Sequence, residues 1–244
     1  DPLAEGRAMA APGLLHKYRG RVLLTLTGAC AIHCRYCFRR HFPYARSNPL
    51  GQWPGVLDYL ARDPSIQEVI LSGGDPLMFS DAKLERIIQD LEGIRHIRRL
   101  RLHTRLPVVI PQRVTEKLRR CLTQTRFQGI MVLHINHPNE IDDNLKEALG
   151  TLRGVCMLNQ SVLLRGINDS RTTLKVLSEK LFEAGVLPYY LHLLDKVQGA
   201  AHFDVPEARA RQLMEALSAS LPGYLVPRLV KEEGGAPAKT PVGL

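Results

Sequence analysis

The chain has 244 residues, of which 45% are hydrophobic and 23% are charged, and its formal net charge is +9. This length fits one large domain or a single α/β barrel of ordinary globular composition. No apolar run approaches the roughly 18 residues of a membrane span, and the first residues lack the regions of a secretory signal. We therefore expect a cytoplasmic protein without a membrane partner. The basic residues lie in short runs, so nucleic acid is the less favoured partner.

In chain order, residues 1–13 come first, and their small residues, prolines and lack of periodicity predict an N-terminal arm. Apolar, β-prone runs then alternate with amphipathic stretches over residues 14–225, with Ser80 as a candidate N-cap. Residues 226–244 form a Gly- and Pro-rich tail, which we place across the mouth of this body. The predicted strands are residues 22–27, 67–72, 98–103, 129–136, 155–164 and 186–193, and the predicted helices are residues 56–61, 82–91, 115–123, 141–152, 172–184 and 206–221.

This alternation of strands and helices with short connections is typical of parallel strands joined by right-handed crossovers. Six such units belong to the α/β class and fit either an open doubly wound sheet or a partial barrel. Polar and Gly-rich residues follow most of the predicted strands. In a barrel, this indicates a functional site at the carboxyl ends of the strands.

The loop after the first predicted strand contains three of the five cysteines, Cys30, Cys34 and Cys37. Soft thiolate ligands select zinc, Cu(I) or an iron–sulfur cluster. A structural zinc site needs a fourth protein ligand, which His33, His41 or a distant cysteine would have to supply. A [4Fe–4S] cluster held by three cysteines instead leaves one iron open to a further ligand. The spacing favours the cluster but leaves both kinds of site possible.

Two further groups of residues lie at predicted strand ends. Gly73, Gly74 and Asp75 follow the second strand, where glycines let the backbone approach a ligand closely. The same tripeptide is also a common turn. His134 and Gln160 follow later strands, either as ligand contacts or as ordinary polar residues at the edge of the sheet.

The tail contains Lys239 between glycines and prolines. Such a lysine is usually a solvated surface residue. The alternative is a lysine that forms a Schiff base with pyridoxal phosphate (PLP), which needs a reachable amine near phosphate-binding groups. Lys17, Tyr18 and Arg21 could supply those contacts from the other end of the chain.

From about residue 13 to the end, these motifs together resemble the lysine 2,3-aminomutases of the radical S-adenosylmethionine (SAM) superfamily. The motifs are Cys-x3-Cys-x2-Cys with the aromatic Tyr36 before the last cysteine, Ser-Gly-Gly-Asp-Pro-Leu, His-x-Asn-His-Pro-Asn-Glu and Gly-Gly-x-x-x-Lys-Thr-Pro. Three narrower stretches, at residues 41–44, 188–192 and 195–203, are similar to the branch that makes β-lysine for modification of translation elongation factor P.

The resemblance implies an incomplete (β/α)6 barrel that uses a [4Fe–4S] cluster, SAM and PLP to convert L-lysine to β-lysine. It also implies a one-electron reductant and a functional link to elongation factor P and its lysine ligase. The runner-up within the family is a catabolic or osmolyte-producing aminomutase with the same chemistry. A zinc-dependent nucleic-acid-binding protein is the alternative from a different class.

The resemblance also implies a role for each site residue. His192 stands where related enzymes have a tyrosine near PLP, and Glu232 stands where they have an aspartate. The implied roles are Cys30, Cys34 and Cys37 for the cluster; Gly73, Gly74, Asp75, His134 and Gln160 for SAM; Lys239, Tyr18, Arg21 and His192 for PLP; Arg39 for the substrate α-carboxylate; and Asp195, helped by Glu232, for the substrate ε-ammonium.

Overall fold

The computed structural model describes residues 2–3 and 5–243, and its central feature is a ten-stranded mixed sheet whose strands follow one another in chain order. The strands β3 to β9 are parallel, β1 and β2 add antiparallel strands at one edge, and β10 adds one at the other. The strands are β1 Met9–Ala11, β2 Leu14–Tyr18, β3 Arg21–Thr27, β4 Glu68–Gly73, β5 Arg99–Thr104, β6 Gln128–Leu133, β7 Cys156–Val162, β8 Leu187–His192, β9 Arg228–Lys231 and β10 Thr240–Pro241.

Helices occupy the connections between successive parallel strands. Most begin at a side chain that accepts a hydrogen bond from a backbone amide of the first turn, as Ser80 does from Lys83. Such a cap stabilises a helix by about 1 kcal/mol. The helices are α1 Trp53–Arg62, α2 Asp81–Glu92, α3 Leu106–Val109, α4 Glu116–Thr123, α5 Asp143–Gly150, α6 Arg171–Glu183 and α7 Glu207–Ser218.

Strand β5 shows how the sheet separates the core from the site. Its side chains alternate, as in any strand, between the two faces of the sheet. Leu100 and Leu102 are buried in the hydrophobic cluster that also contains the apolar face of α2. Arg101 and His103 point the other way and line the cavity inside the curved sheet. The helices therefore cover one face of the sheet, and the other face supplies polar side chains to the cavity.

All six predicted strands and all six predicted helices are present, with boundaries shifted by a few residues. The predicted partial barrel is confirmed, since the parallel strands curve in order without closing. The sequence did not predict β1, β2, β9 or β10, which extend the sheet at its two sides. The predicted domain boundaries at residues 13 and 226 stay predictions, and residues 1, 4 and 244 of the arm and the tail lie outside the described residues. No helix of the described part is long and apolar enough to cross a membrane.

Candidate active site

A cavity of about 640 Å³ opens at the carboxyl ends of the parallel strands. Its wall is formed by the cysteine loop, the ends of the strands and the C-terminal tail. All the site residues predicted from the sequence line this cavity. They are Tyr18, Arg21, Cys30, Cys34, Cys37, Arg39, Gly73, Gly74, Asp75, His134, Gln160, His192, Asp195, Glu232 and Lys239.

The three cysteines lie in the loop between β3 and α1, and each is a free, half-buried thiol. The Cys37 amide donates to the carbonyl of Cys34 at 3.1 Å, so the loop turns tightly between these two thiols. Burial, together with Asp75 and the other two thiols, raises the pKa of Cys30 to about 11. Among the described residues, no three His, Cys, Asp or Glu side chains are arranged to hold a single metal ion.

Tyr36, within the cysteine motif, fixes this loop to the sheet. Its phenol oxygen accepts hydrogen bonds from Arg105 at 2.5 Å and from the side-chain amide of Asn136. Arg105 also pairs with Glu140. The aromatic residue of the motif is therefore held by residues that follow β5 and β6.

The Gly73-Gly74-Asp75 turn packs directly against the cysteine loop. Gly73 has φ +125°, and a Cβ on Gly74 would lie 2.4 Å from the backbone oxygen of Ala29. Side chains at these positions would push the loop away. The Asp75 carboxylate accepts hydrogen bonds from Thr104, at 2.8 and 2.9 Å, and from the backbone amides of residues 77, 105 and 106. The side chain of Asp75 thus joins two strand ends, and only the backbone of the turn remains for a ligand.

Arg39 is buried, and three of its five N–H donors are already engaged. Its Nε and Nη2 donate to the two carboxylate oxygens of Glu5 at 2.8 and 2.9 Å, and its Nη1 donates to Ser72 Oγ at 3.0 Å. No local pattern indicated Glu5, because it lies in the predicted arm. Arg39 therefore faces the cavity as one half of a buried ion pair.

Glu232 lies at the PLP end of the predicted site and joins two lysines. Its carboxylate accepts from Lys17 at 2.9 Å, from Lys239 at 2.8 Å and from the Tyr18 hydroxyl at 3.2 Å. The two ammonium groups hold the pKa of Glu232 well below its usual range. Burial lowers the pKa of Lys239, and Glu232 only partly offsets this effect. Lys239 Nζ also lies 5.6 Å from the ring centroid of Tyr190, which the sequence analysis did not single out.

Among the half-buried charged side chains that line the cavity, Arg21 and Asp195 have no ion-pair partner within the described ranges, 2–3 and 5–243. The guanidinium of Arg21 lies 4.6 Å from the ring centroid of Tyr18, and no carboxylate of the described residues pairs with it. The side chain of Asp195 makes no hydrogen bond to any other residue that the structure describes. Burial and the charge of Glu232 raise the pKa of Asp195 to about 6, with a smaller contribution from Glu5, against the opposing effect of Lys239 and Lys17.

Three of the four histidines that line the cavity lie at the ends of strands, and burial keeps each of these three neutral. It lowers the pKa of His134 to about 4 and that of His192 to about 3, with nearby Lys239 acting in the same direction. The pKa of His103 is also lowered, first by burial and then by His134. His103 was not among the predicted site residues. Its Nε2 has no hydrogen-bond partner in the part of the chain that the structure describes.

The donor sets of the cavity fit the cofactors that the sequence predicts. Three soft thiols on one wall suit an iron–sulfur cluster better than a hard cation. The same cavity is lined by the Lys239 amine and by Arg21, which has no carboxylate partner among the described residues. An amine and a cation in this combination suit an aldehyde that carries a phosphate.

Comparisons with known proteins agree with this geometry. Residues 24–173 match the model of the radical SAM superfamily. The chain is 54% identical, over its whole length and 72% of the relative's, to the L-lysine 2,3-aminomutase of Escherichia coli (strain K12). It is 55% identical to the Haemophilus influenzae protein of that name, over 98% of this chain and 72% of the relative. A radical SAM methyltransferase from Sphaerobacter thermophilus has a similar fold, with a TM-score of 0.60 at 16% identity over 91% of this chain and 69% of that one.

Proposed function

The chain belongs to the lysine 2,3-aminomutase family of radical SAM enzymes, and from this premise we propose that it isomerises L-lysine to β-lysine. The family confirms the predicted cofactors, a [4Fe–4S] cluster, SAM and PLP, and decides against the zinc-dependent nucleic-acid-binding alternative. When bound, these cofactors supply a radical and a conjugated system that can carry a migrating amino group. The protein has to bind and orient the substrate and exclude water from it.

The observation that carries the proposal is a match of charged groups in the one cavity. Its wall contains the Lys239 amine, the Arg39 guanidinium and the Asp195 carboxylate. The α-carboxylate of lysine is complementary to Arg39 and its ε-ammonium to Asp195, and its α-amine would take the place of the Lys239 amine on PLP. An amino acid without a positively charged side chain would leave the Asp195 carboxylate without a partner.

We assign the ε-ammonium to Asp195 rather than to Asp195 and Glu232 jointly. Each carboxylate oxygen of Glu232 is already paired with a lysine, Lys17 or Lys239. Asp195 has no such partner within the described residues, and its raised pKa reflects the cost of a buried charge without a counter-ion. An arriving ammonium would offset that cost. This differs from the expectation that Glu232 shares the ammonium.

Lys239 is the proposed attachment point for PLP. Its amine is buried beside Glu232, and the lowered pKa makes the neutral, nucleophilic form easier to reach. Arg21 and Tyr18 would bind the phosphate, since Arg21 has a guanidinium without a carboxylate partner in the described ranges. His192 is buried and neutral, so it can donate or accept a hydrogen bond near the cofactor without adding charge.

The cysteine loop is the proposed site of the cluster, and the adjoining strand ends are the proposed site of SAM. Gly73 and Gly74 leave their backbone beside the cysteine loop, and His134 and Gln160 line the same wall. Because burial keeps His134 neutral, it can hydrogen-bond a cofactor without repelling a cation such as SAM.

For the biological role, we propose that the β-lysine serves the modification of elongation factor P in the cytoplasm, with a one-electron reductant and a lysine ligase as functional partners. Identity supports a grouping with the Escherichia coli and Haemophilus influenzae relatives, at 54% and 55%. It falls to 40% with the Clostridium subterminale relative and to 36% with that of Bacillus subtilis. A catabolic or osmolyte role is the alternative.

Anaerobic turnover tests the reaction. The protein with cluster and PLP, incubated with L-lysine, SAM and a chemical reductant, should produce β-lysine, which chiral chromatography detects. If the loaded protein makes none, its substrate is another amino acid or a protein-bound lysine. The role is tested separately by giving the product to elongation factor P and its ligase. Mass spectrometry should show faster modification with this β-lysine than with α-lysine, and no preference would favour the catabolic or osmolyte role.

A further inference from the structure

The contact between Glu5 and Arg39 ties the N-terminal segment to the proposed substrate site. Glu5 precedes β1 and begins a short 3-10 turn over Glu5–Ala8. Its side chain is 3% exposed and that of Arg39 is 8% exposed, and both line the cavity. Two such buried charges are compatible with folding because each compensates the other. The segment before β1 is therefore part of the cavity wall.

The geometry of this pair determines which donors of Arg39 remain available. Glu5 takes the side edge of the guanidinium through Nε and Nη2, and Ser72 takes one hydrogen of Nη1. One N–H on each terminal nitrogen is then left for another acceptor. Ser72 belongs to β4, a fully buried strand, so the plane of the guanidinium is fixed from two sides.

We infer that Glu5 is a positioning residue for the substrate: it holds the side edge of Arg39 so that the substrate carboxylate can bind only to the remaining N–H groups. This inference rests on the proposed function of Arg39. Without Glu5, a carboxylate could also bind the vacated side edge, in a second pose. A displacement of about 1 Å between reacting atoms can lower a rate by roughly a hundredfold.

A single pose of the substrate carboxylate should affect how lysine binds, and this binding can be measured without turnover. The α-carbon of lysine is located by its amine, its carboxylate and its side chain, so a fixed Arg39 edge should favour L-lysine over D-lysine. If both edges of the Arg39 guanidinium were open, the carboxylate of D-lysine could bind to the second edge. Glu5 therefore contributes to the choice between the enantiomers.

The test is calorimetric titration of the protein, loaded with cluster and PLP but without reductant, with L-lysine and with D-lysine. We expect the wild type to prefer L-lysine by about tenfold or more, a difference of ~1.4 kcal/mol. Glu5→Gln should lower the preference to within about threefold, and Glu5→Asp, which keeps the charge, should restore part of it. A ratio of two dissociation constants does not depend on how much of the protein is correctly folded.

Glu116→Gln is the matched control. Glu116 also binds an arginine through two oxygens, with both contacts to Arg119 at 2.6 Å, but it is exposed on α4 and does not line the cavity. It should keep the wild-type preference. If Glu5→Gln keeps that preference as well, the positioning role of Glu5 is wrong. If the wild type itself does not distinguish the enantiomers, the proposed function of Arg39 fails instead.

Discussion

The substitution Asp195→Asn tests the substrate assignment most directly. Asparagine has nearly the same shape as aspartate but cannot neutralise an ammonium. The protein environment raises the pKa of Asp195 from 3.8 to about 6, so the ionised carboxylate is disfavoured by ~3 kcal/mol when no counter-ion is present. A bound ε-ammonium would recover a free energy of this order. We therefore expect the KM for L-lysine to rise by roughly two decades in the variant.

The assay is the anaerobic formation of β-lysine over a range of L-lysine concentrations. Iron content and covalent PLP content should match the wild type, because Asp195 makes no side-chain hydrogen bond within the described residues that the substitution could break. Asp204→Asn is the control, since Asp204 is exposed and does not line the cavity. A KM within about threefold of the wild-type value would remove Asp195 from the substrate site and refute the charge argument.

Four further predictions follow from the site. The ionised form of Asp195 binds the ammonium, so kcat/KM for lysine should fall about tenfold per pH unit below its pKa of about 6, and Asp195→Asn should lose this dependence. Borohydride treatment and peptide mapping should find PLP on Lys239, and a label on another lysine would contradict its assignment. Cys34→Ala should cleave no SAM and lose iron, whereas full cleavage would exclude the cluster assignment. Arg39→Lys should lose most turnover, because an ammonium cannot reproduce the planar fork that holds Glu5 and Ser72, and wild-type turnover would exclude that role.

The strands and helices that were predicted from the sequence are those whose buried positions are marked by a local pattern of apolar residues. Strand β4, for example, is buried at every position, and its sequence contains the apolar run 69–71 shortly before the Gly-Gly turn. The strands that were missed are β1, β2, β9 and β10, which lie at the two sides of the sheet. Each is only two to five residues long, and its strand geometry depends on pairing with a neighbouring strand. The β9 residues, for instance, pair with β8.

The site residues that belong to sequence motifs could be predicted. The role of a residue was harder to predict where it depends on an ion pair with a residue that is distant in sequence. The motifs located the cysteines, the glycine turn and Lys239. The partner of Arg39 lies 34 residues away in a segment without periodicity, and nothing local indicated Glu5. Glu232 was predicted as a substrate ligand, but its pairing with two lysines depends on the folding of the tail over β2. Pairings between residues so far apart in the sequence depend on the fold, and the spacing of residues within a motif does not indicate them.

Charge pairing within the cavity indicates which ligand groups it accepts. Most of the buried or half-buried ions on its wall already have partners: Arg39 with Glu5, Arg101 with Glu68, Arg105 with Glu140, and Lys17 and Lys239 with Glu232. The carboxylate of Asp75 is satisfied by hydrogen bonds to the strand ends. In the described part of the chain, this leaves Arg21 and Asp195 as the half-buried cavity ions without counter-ions. A buried charge without a partner is costly. The cavity is therefore completed best by ligands that bring a phosphate to Arg21 and an ammonium to Asp195, as PLP and lysine together do.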